Sequence, residues 1–295
     1  MLAIPTYKKL IEAGHEVVSL ISNPDAQVGR GRKFAPNSFA QWAADQDAIL
    51  VKPQDSIELN RHLLEVQPQV VITVAYGRLI PAELLNGPRF GWLNLHFSLL
   101  PRWRGAAPVQ WAILSGDEKT GFTIFKLDKG LDTGPTYLSD EIPLSDKAKT
   151  PDVLAKLAEL GAEGFVDVLP RIGRERAIPQ PINGVTIAPK ITKEMAKVNW
   201  KKSSIEIERQ FRALEDEPGV WSVFRGERCG LFGAQLTDEK SLKPGSISVD
   251  NGRMLVGSGD FALEISEITP SGKKRMKISE FLRGARIEGG EKFES

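Results

Sequence analysis

The chain has 295 residues, of which 41% are hydrophobic and 26% charged, a composition that is ordinary for a globular protein and argues against wholesale disorder. Its 39 basic and 38 acidic residues give a net charge of +1, which excludes a generic polyanion binder, so any nucleic-acid affinity must come from local patches. A single cysteine, Cys229, and the lack of any run of about 20 apolar residues exclude a disulfide framework and a membrane helix, and they predict a cytoplasmic protein.

The first half of the sequence alternates predicted helices with short apolar segments. The predicted helices are 5–13, 38–46, 56–66, 107–115 and 151–169, and the predicted strands are 17–21, 49–52, 70–74, 92–96 and 122–127. This alternation is typical of a mostly parallel sheet with helices on both faces, so we predict a Rossmann-like α/β domain over 1–182. Such folds usually open on a buried strand and this sequence opens on a helix, so we also expect a first strand to be missing.

The second half follows a different pattern. Prolines between residues 170 and 190 indicate a linker over the surface, and we place the linker itself at 183–202. Helices are predicted at 203–213 and 279–286, and five short strands with Gly and Pro turns at 220–225, 228–235, 245–249, 253–256 and 261–268. This pattern predicts a small OB-like β-barrel domain over 203–295.

Polar side chains capable of catalysis stand at the end of the strand 92–96. Asn94 and His96 are two residues apart and therefore share one face of that strand. Ligand sites of open α/β sheets collect at the carboxyl ends of strands. A carboxamide can donate to a developing oxyanion, and an imidazole can exchange protons near neutral pH. From the spacing alone, a strand end with two satisfied polar side chains explains the pair equally well.

A Gly-rich loop with Asp132 follows the predicted strand 122–127. A carboxylate there could orient a histidine or assist proton removal, provided that the fold brings it close. Because Asp and Gly are common in turns, the spacing alone favours an ordinary turn.

Basic residues concentrate in three stretches. The predicted loop 23–36 carries Arg30, Arg32 and Lys33. Residues 190–212 hold seven basic against three acidic residues, and residues 271–286 hold six against one. These stretches could bind a nucleic-acid backbone, with ordinary solvated surface as the alternative.

Two segments, Asn94–Pro108 and Leu127–Gly134, resemble the formyltransferases that use N10-formyltetrahydrofolate, with their Asn-x-His, Ser-Leu-Leu-Pro and Leu-Asp-x-Gly motifs. The run 102–110 is similar to the branch of this family that acts on methionyl-tRNA. The resemblance implies catalysis by Asn94, His96 and Asp132. It implies folate binding by Ser98, Leu99, Leu100, Pro101, Tyr76, Gly77, Arg78 and Leu79. It implies tRNA binding by Arg30, Arg32, Lys33, Lys190, Lys273, Lys274 and Arg275.

The resemblance also implies an activity and its partners. The protein is expected to transfer a formyl group from N10-formyltetrahydrofolate, as co-substrate and without a metal, to initiator methionyl-tRNA, and to act as a monomer without membrane contact. Two alternatives stay open: a formyltransferase for a small amine such as an amino-sugar nucleotide, and a tRNA-binding protein without catalysis. Hydrolysis of the formyl-folate would suit the three catalytic residues but would leave the second domain without a role.

Overall fold

A computed structural model describes residues 1–28, 33–46, 48–240 and 242–294. Arg30 and Arg32, from the predicted tRNA-binding set, lie outside the described residues. The helices are α1 (Ile4–Glu12), α2 (Ser38–Ala43), α3 (Ser56–Val66), α4 (Pro108–Ser115), α5 (Thr150–Val168), α6 (Ser204–Leu214) and α7 (Ile278–Ala285). The strands are β1 (Leu20–Ile21), β2 (Ala26–Val28), β3 (Lys33–Ala35), β4 (Leu50–Val51), β5 (Val71–Val74), β6 (Trp92–His96), β7 (Arg104–Gly105), β8 (Lys119–Lys126), β9 (Thr136–Pro143), β10 (Ile187–Ala188), β11 (Trp221–Phe224), β12 (Glu227–Leu236), β13 (Ile247–Asp250), β14 (Arg253–Gly257), β15 (Ala262–Thr269), β16 (Met276–Lys277) and β17 (Phe293–Glu294).

The chain divides into two compact units. The first unit contains Met1–Pro108, Lys119–Pro143 and Val153–Ala188, and the second contains Val109–Glu118, Leu144–Asp152 and Pro189–Ser295. The boundaries drawn from the sequence, at 182 and 202, remain predictions. In the described part of the chain, no helix is both long enough and apolar enough to cross a membrane.

The main sheet of the first unit has the order β5-β6-β8-β9. β5 and β6 run parallel, whereas β8 is antiparallel to both β6 and β9. The α/β class is therefore confirmed, but the parallel direction implied for strand 122–127 is wrong. Ile124 and Phe125 of β8 are fully buried, and a central antiparallel strand buried on both faces has the same continuous apolar run as a parallel strand. β9 was not predicted; half of its residues are Thr, Ser, Asp or Glu, so it lacks the continuous apolar run of a buried strand.

β1 and β4 form a separate parallel pair. Among the described residues, β1 pairs with β4 alone and β5 with β6 alone, so each has one edge without a strand partner. Both strands line a cavity of about 980 Å³ within the first unit. Three buried polar atoms that find no partner in the described structure belong to residues lining this cavity: Thr6 Oγ1, Asn23 Oδ1 and the Tyr76 hydroxyl. The expectation of a further strand remains a prediction.

Two segments predicted as irregular contain paired backbone. The stretch 23–36, predicted as a loop, holds the short antiparallel pair β2–β3. The proline-rich stretch predicted to be a surface linker includes β10, which pairs in parallel with β7. Gly and Pro in these stretches obscure such two- or three-residue strands, because their pairing depends on partners far along the chain.

The strands of the second unit form one antiparallel sheet. Its order is β13-β14-β15-β12-β11-β17, with β16 beside β15, and it curls into a half-barrel. The five predicted strands are confirmed. The helix that precedes them, α6, begins at a capping box formed by Ser203 and Glu206, and it buries Ile207 and Phe211 along one face. This arrangement confirms the small barrel-like domain.

Candidate active site

The predicted catalytic residues of β6 stand where two parallel strands end. β5 and β6 pair in register, with Thr73 opposite Asn94 and Val74 opposite Leu95. Because the strands are parallel, their carboxyl ends meet at one edge of the sheet. Asn94 and His96, two residues apart, present their side chains on the same face of β6.

The side chain of Asn94 is anchored by the neighbouring strand. Its Nδ2 donates to Thr73 Oγ1 at 2.8 Å, and the Thr73 hydroxyl in turn donates to the Leu93 carbonyl at 3.2 Å. This chain fixes which atom of the carboxamide is the nitrogen, since the threonine hydroxyl hydrogen is already committed to a carbonyl. The amide carries a second hydrogen, which can be donated to a ligand.

His96 is held in one tautomer. Its Nε2 lies 2.8 Å from the Trp103 carbonyl oxygen, which can only accept, so Nε2 carries the proton. The other nitrogen, Nδ1, lies 3.6 Å from Asp132 Oδ2, too far for a hydrogen bond. Burial lowers the pKa of His96 below its usual value, and this effect outweighs the Asp132 carboxylate and the Trp103 carbonyl, which both raise it. A neutral ring therefore has its unprotonated nitrogen facing the carboxylate.

The carboxylate of Asp132 is positioned by backbone. Its Oδ2 accepts from the Gly105 N–H at 2.7 Å, and the residue itself has a left-handed φ of 52°. Gly105 has a φ of 124°, and a Cβ there would lie 2.6 Å from the Ala188 carbonyl oxygen, so only glycine fits. The structure thus brings Asp132 close to His96, which the spacing alone did not predict.

The Ser98–Pro101 segment is bonded into the first unit. The Ser98 hydroxyl is buried and donates to the Arg102 carbonyl at 2.6 Å. The Thr123 hydroxyl donates to the Ser98 carbonyl at 2.7 Å and accepts from the Leu100 N–H at 3.1 Å. The Ser98 hydroxyl is therefore engaged within the loop, and it is the partly exposed Leu99 and Pro101 that this segment can offer to a ligand.

The Tyr76–Leu79 segment follows β5 at the same sheet edge. The Tyr76 carbonyl accepts from Asn23, and Gly77 has a left-handed φ of 74° that makes the turn. The guanidinium of Arg78 donates to two carbonyls, of Pro53 and Gln54, at 2.8 and 2.9 Å, and so braces the loop. Leu79 is 85% exposed, an unusual environment for a large apolar side chain.

The described basic residues of the predicted tRNA-binding set are exposed. Lys33 stands on β3 of the first unit, and Lys190, Lys273 and Lys274 belong to the second. Arg275 is also in the second unit, where it pairs with Glu267 and lies over the Phe232 ring at 3.8 Å. Within the described residues, no group of three or more His, Cys, Asp or Glu side chains could hold a metal ion.

Three residues of the site were missed by the sequence reasoning: Thr73, Gly105 and Gln180. Thr73 is a polar residue inside an apolar strand, a signal that could have singled it out. Gly105 lies in the run 102–110, whose similarity to the family gave it no role. Gln180 lies between two prolines in the proline-rich stretch 170–190 and contacts the Asp132 loop from 48 residues along the chain, so no local signal identifies it.

Comparison with known proteins finds relatives along nearly the whole chain. The family described as formyl transferase matches residues 3–169, and the formyl transferase C-terminal domain matches residues 190–286. The methionyl-tRNA formyltransferase of Salinispora tropica is 42% identical to the chain, over 98% of the chain and 96% of that protein. The methionyl-tRNA formyltransferase of Thermobifida fusca is 40% identical, over 99% of the chain and 96% of that protein. HypX from Aquifex aeolicus, in a structure with tetrahydrofolic acid, shares the fold with a TM-score of 0.69 at 19% identity. There, 98% of the chain covers 46% of HypX.

Proposed function

The chain belongs to the formyl transferase family, and from that premise we propose that it formylates the α-amino group of initiator methionyl-tRNA with N10-formyltetrahydrofolate. The observation that carries the proposal is the convergence of Asp132 with His96, on the strand face that also bears Asn94. Relatives named methionyl-tRNA formyltransferase, similar along the whole chain, support tRNA rather than a small amine as the acceptor. Because the acceptor is a tRNA, we place the reaction in the cytoplasm, and we expect a monomer.

The residues around the sheet edge fit the formyl donor. Leu79, exposed beside Gly77, offers an apolar surface for the flat pterin ring, and the backbone of 76–79 offers donors and acceptors. When bound, N10-formyltetrahydrofolate supplies the formyl carbon. The partly exposed Leu99 and Pro101 would extend this surface.

The roles of the three catalytic residues follow from the bonds that they already make. The amine nitrogen bonds to the formyl carbon, the bond from that carbon to N10 breaks, and the proton lost by the amine ends on N10. Asn94 donates its second amide hydrogen to the formyl oxygen as negative charge develops there. His96, with Nε2–H committed to Trp103, accepts the proton of the amine at Nδ1 and then releases it to N10. Asp132 stabilises the resulting imidazolium.

A direct transfer assay tests the proposal. The purified chain is incubated with N10-formyltetrahydrofolate labelled in the formyl group and with one of three acceptors: initiator methionyl-tRNA, the same tRNA without methionine, or an amino-sugar nucleotide. We expect label on methionyl-tRNA alone. Label on the amino sugar would establish the small-amine alternative, and tRNA binding without transfer would establish a non-catalytic protein.

A further inference from the structure

The carboxylate of Asp132 is held by a closed ring of hydrogen bonds that includes a residue outside the catalytic set. Gln180 Nε2 donates to the Asp132 carbonyl and to the Gly134 carbonyl, both at 2.8 Å. Gln180 Oε1 accepts from Arg104 Nε at 3.1 Å and from Arg104 Nη2 at 2.6 Å. The residue after Arg104 is Gly105, whose N–H binds the carboxylate of Asp132.

The orientation of the Gln180 amide follows from its partners. Exchanging its oxygen and nitrogen would set NH₂ against a guanidinium and an oxygen against two carbonyls, which are four repulsive contacts. In the observed orientation, the amide nitrogen donates both of its hydrogens to carbonyls, and the amide oxygen accepts two hydrogen bonds from Arg104. The Arg104 cation binds the amide oxygen and so polarises the amide, which makes its N–H groups stronger donors. This polarisation strengthens the two hydrogen bonds to the loop carbonyls.

The ring of hydrogen bonds stabilises an unfavourable backbone conformation in the Asp132 loop. Asp132 has a φ of 52°, a conformation that costs free energy in a residue with a side chain, so other contacts must maintain it. The backbone two residues before Gln180 is held in place, because Ile178 and Thr136 exchange two backbone hydrogen bonds at 2.8 Å. Arg104 is fixed in the same way, since its N–H donates to the Thr186 carbonyl at 2.9 Å.

We propose that Gln180 is a positioning residue for formyl transfer, which sets the Asp132 carboxylate against His96 through the ring with Arg104 and Gly105. It touches neither substrate in this role. The inference rests on the proposed function for its kinetic consequence, but its structural part stands on the contacts alone. A carboxylate released from the ring would no longer face Nδ1 of His96 at a fixed distance, and misplacement by about 1 Å can cost about a hundredfold in rate.

Two substitutions separate the donors from the acceptor. Gln180→Met keeps the length of the side chain but loses all four hydrogen bonds. Gln180→Glu keeps an acceptor for Arg104 and places oxygen against the two loop carbonyls. We expect both variants to lower kcat about 10- to 100-fold, with KM for tRNA and folate changed less than threefold. A decrease in kcat in Gln180→Glu would show that the two N–H donors matter, because this variant keeps its pairing with Arg104.

Gln210→Met is the matched control. Gln210 Nε2 also donates to two carbonyls, of Met195 and Lys197, at 2.9 and 3.1 Å, but within the second unit and away from the Asp132 loop. The Gln210→Met substitution removes two hydrogen bonds from a side-chain amide to backbone carbonyls, as Gln180→Met does. It therefore measures the effect on kcat of a general loss of stability. We expect its kcat to stay within twofold of the unchanged protein. Urea unfolding of every variant checks that each is folded under the assay conditions.

Hydrogen exchange at the Gly105 amide gives a readout independent of activity. This N–H binds Asp132, so release of the carboxylate should speed its exchange at least tenfold in Gln180→Met and leave it unchanged in Gln210→Met. Unchanged exchange together with unchanged kcat in a folded Gln180→Met protein would overturn the positioning role. If exchange at the Gly105 amide is faster in Gln180→Met but the protein without substitutions formylates no acceptor, Gln180 still positions Asp132 and the proposed function is wrong.

Discussion

Asn94→Ala tests the oxyanion role most directly. The amide is oriented by its 2.8 Å bond to Thr73, so its second hydrogen is aimed before the substrate arrives. Loss of one such preorganised donor costs about 3–4 kcal/mol in the transition state, or about 10²- to 10³-fold in kcat. The free energy of unfolding should fall by less, because one neutral hydrogen bond contributes about 1 kcal/mol to folding. Thr73 also keeps its bond to the Leu93 carbonyl.

The assay separates chemistry from binding. Single-turnover transfer of labelled formyl to methionyl-tRNA gives the rate, and quenching of tryptophan fluorescence gives folate affinity, which we expect to change less than threefold. Thr73→Val is the companion variant, because it keeps Asn94 but removes the atom that orients it. The hydrogen bond that orients the amide is worth about 1 kcal/mol, so its loss predicts a rate about fivefold slower. A folded Asn94→Ala protein that transfers formyl within threefold of the unchanged chain would refute the oxyanion role.

The other expectations concern the carboxylate, a glycine and the basic surface. Asp132→Asn removes a charge that raises the pKa of His96, so that pKa should fall further, as followed by histidine ¹³C NMR; a rise would contradict the geometry. Because the folded pKa of His96 is already below the unfolded value near 6.5, its stabilising contribution is present above that pH and lost as pH falls towards the folded pKa. Gly105→Ala should lower the free energy of unfolding by roughly 1–3 kcal/mol from φ strain plus its clash, against a smaller loss for Gly226→Ala, where φ is also positive but space is open. Neutralising both lysines of Lys273–Lys274 should reduce the slope of log K for tRNA against log salt by up to about 2, and an unchanged slope would exclude them from phosphate contact.

Patterns that repeat locally were predicted well. The five strands of the second unit are short and recur between Gly and Pro turns, a pattern that is visible in the sequence. The shared face of Asn94 and His96 follows from the two-residue period of a strand. Helix α3 was predicted at 56–66, and the structure shows that Asp55 caps it and that Leu59 and Leu63 lie on its buried face.

Features that depend on distant partners were not predictable from pattern. The direction of β8 is set by which strand it meets, and its apolar sequence suits either direction. The proximity of Asp132 to His96 was expected from the family resemblance, whereas the spacing alone favoured an ordinary turn. The tautomer of His96 is fixed by a backbone carbonyl, which every residue possesses, so no side chain in the sequence could reveal it.

The 3.6 Å between His96 Nδ1 and Asp132 Oδ2 bears on how the pair works. With Nδ1 unprotonated, a lone pair faces an anion and nothing draws the two together. Once Nδ1 accepts a proton, the new N–H can donate to the carboxylate, and a charge-assisted bond of this kind shortens to about 2.8 Å. The attraction is large in a site as buried as that of His96, so the carboxylate favours proton uptake by a ring that burial otherwise keeps neutral. That benefit exists only while Asp132 is held within reach of the ring, which is why the Gln180 amide should affect kcat while leaving both binding steps intact.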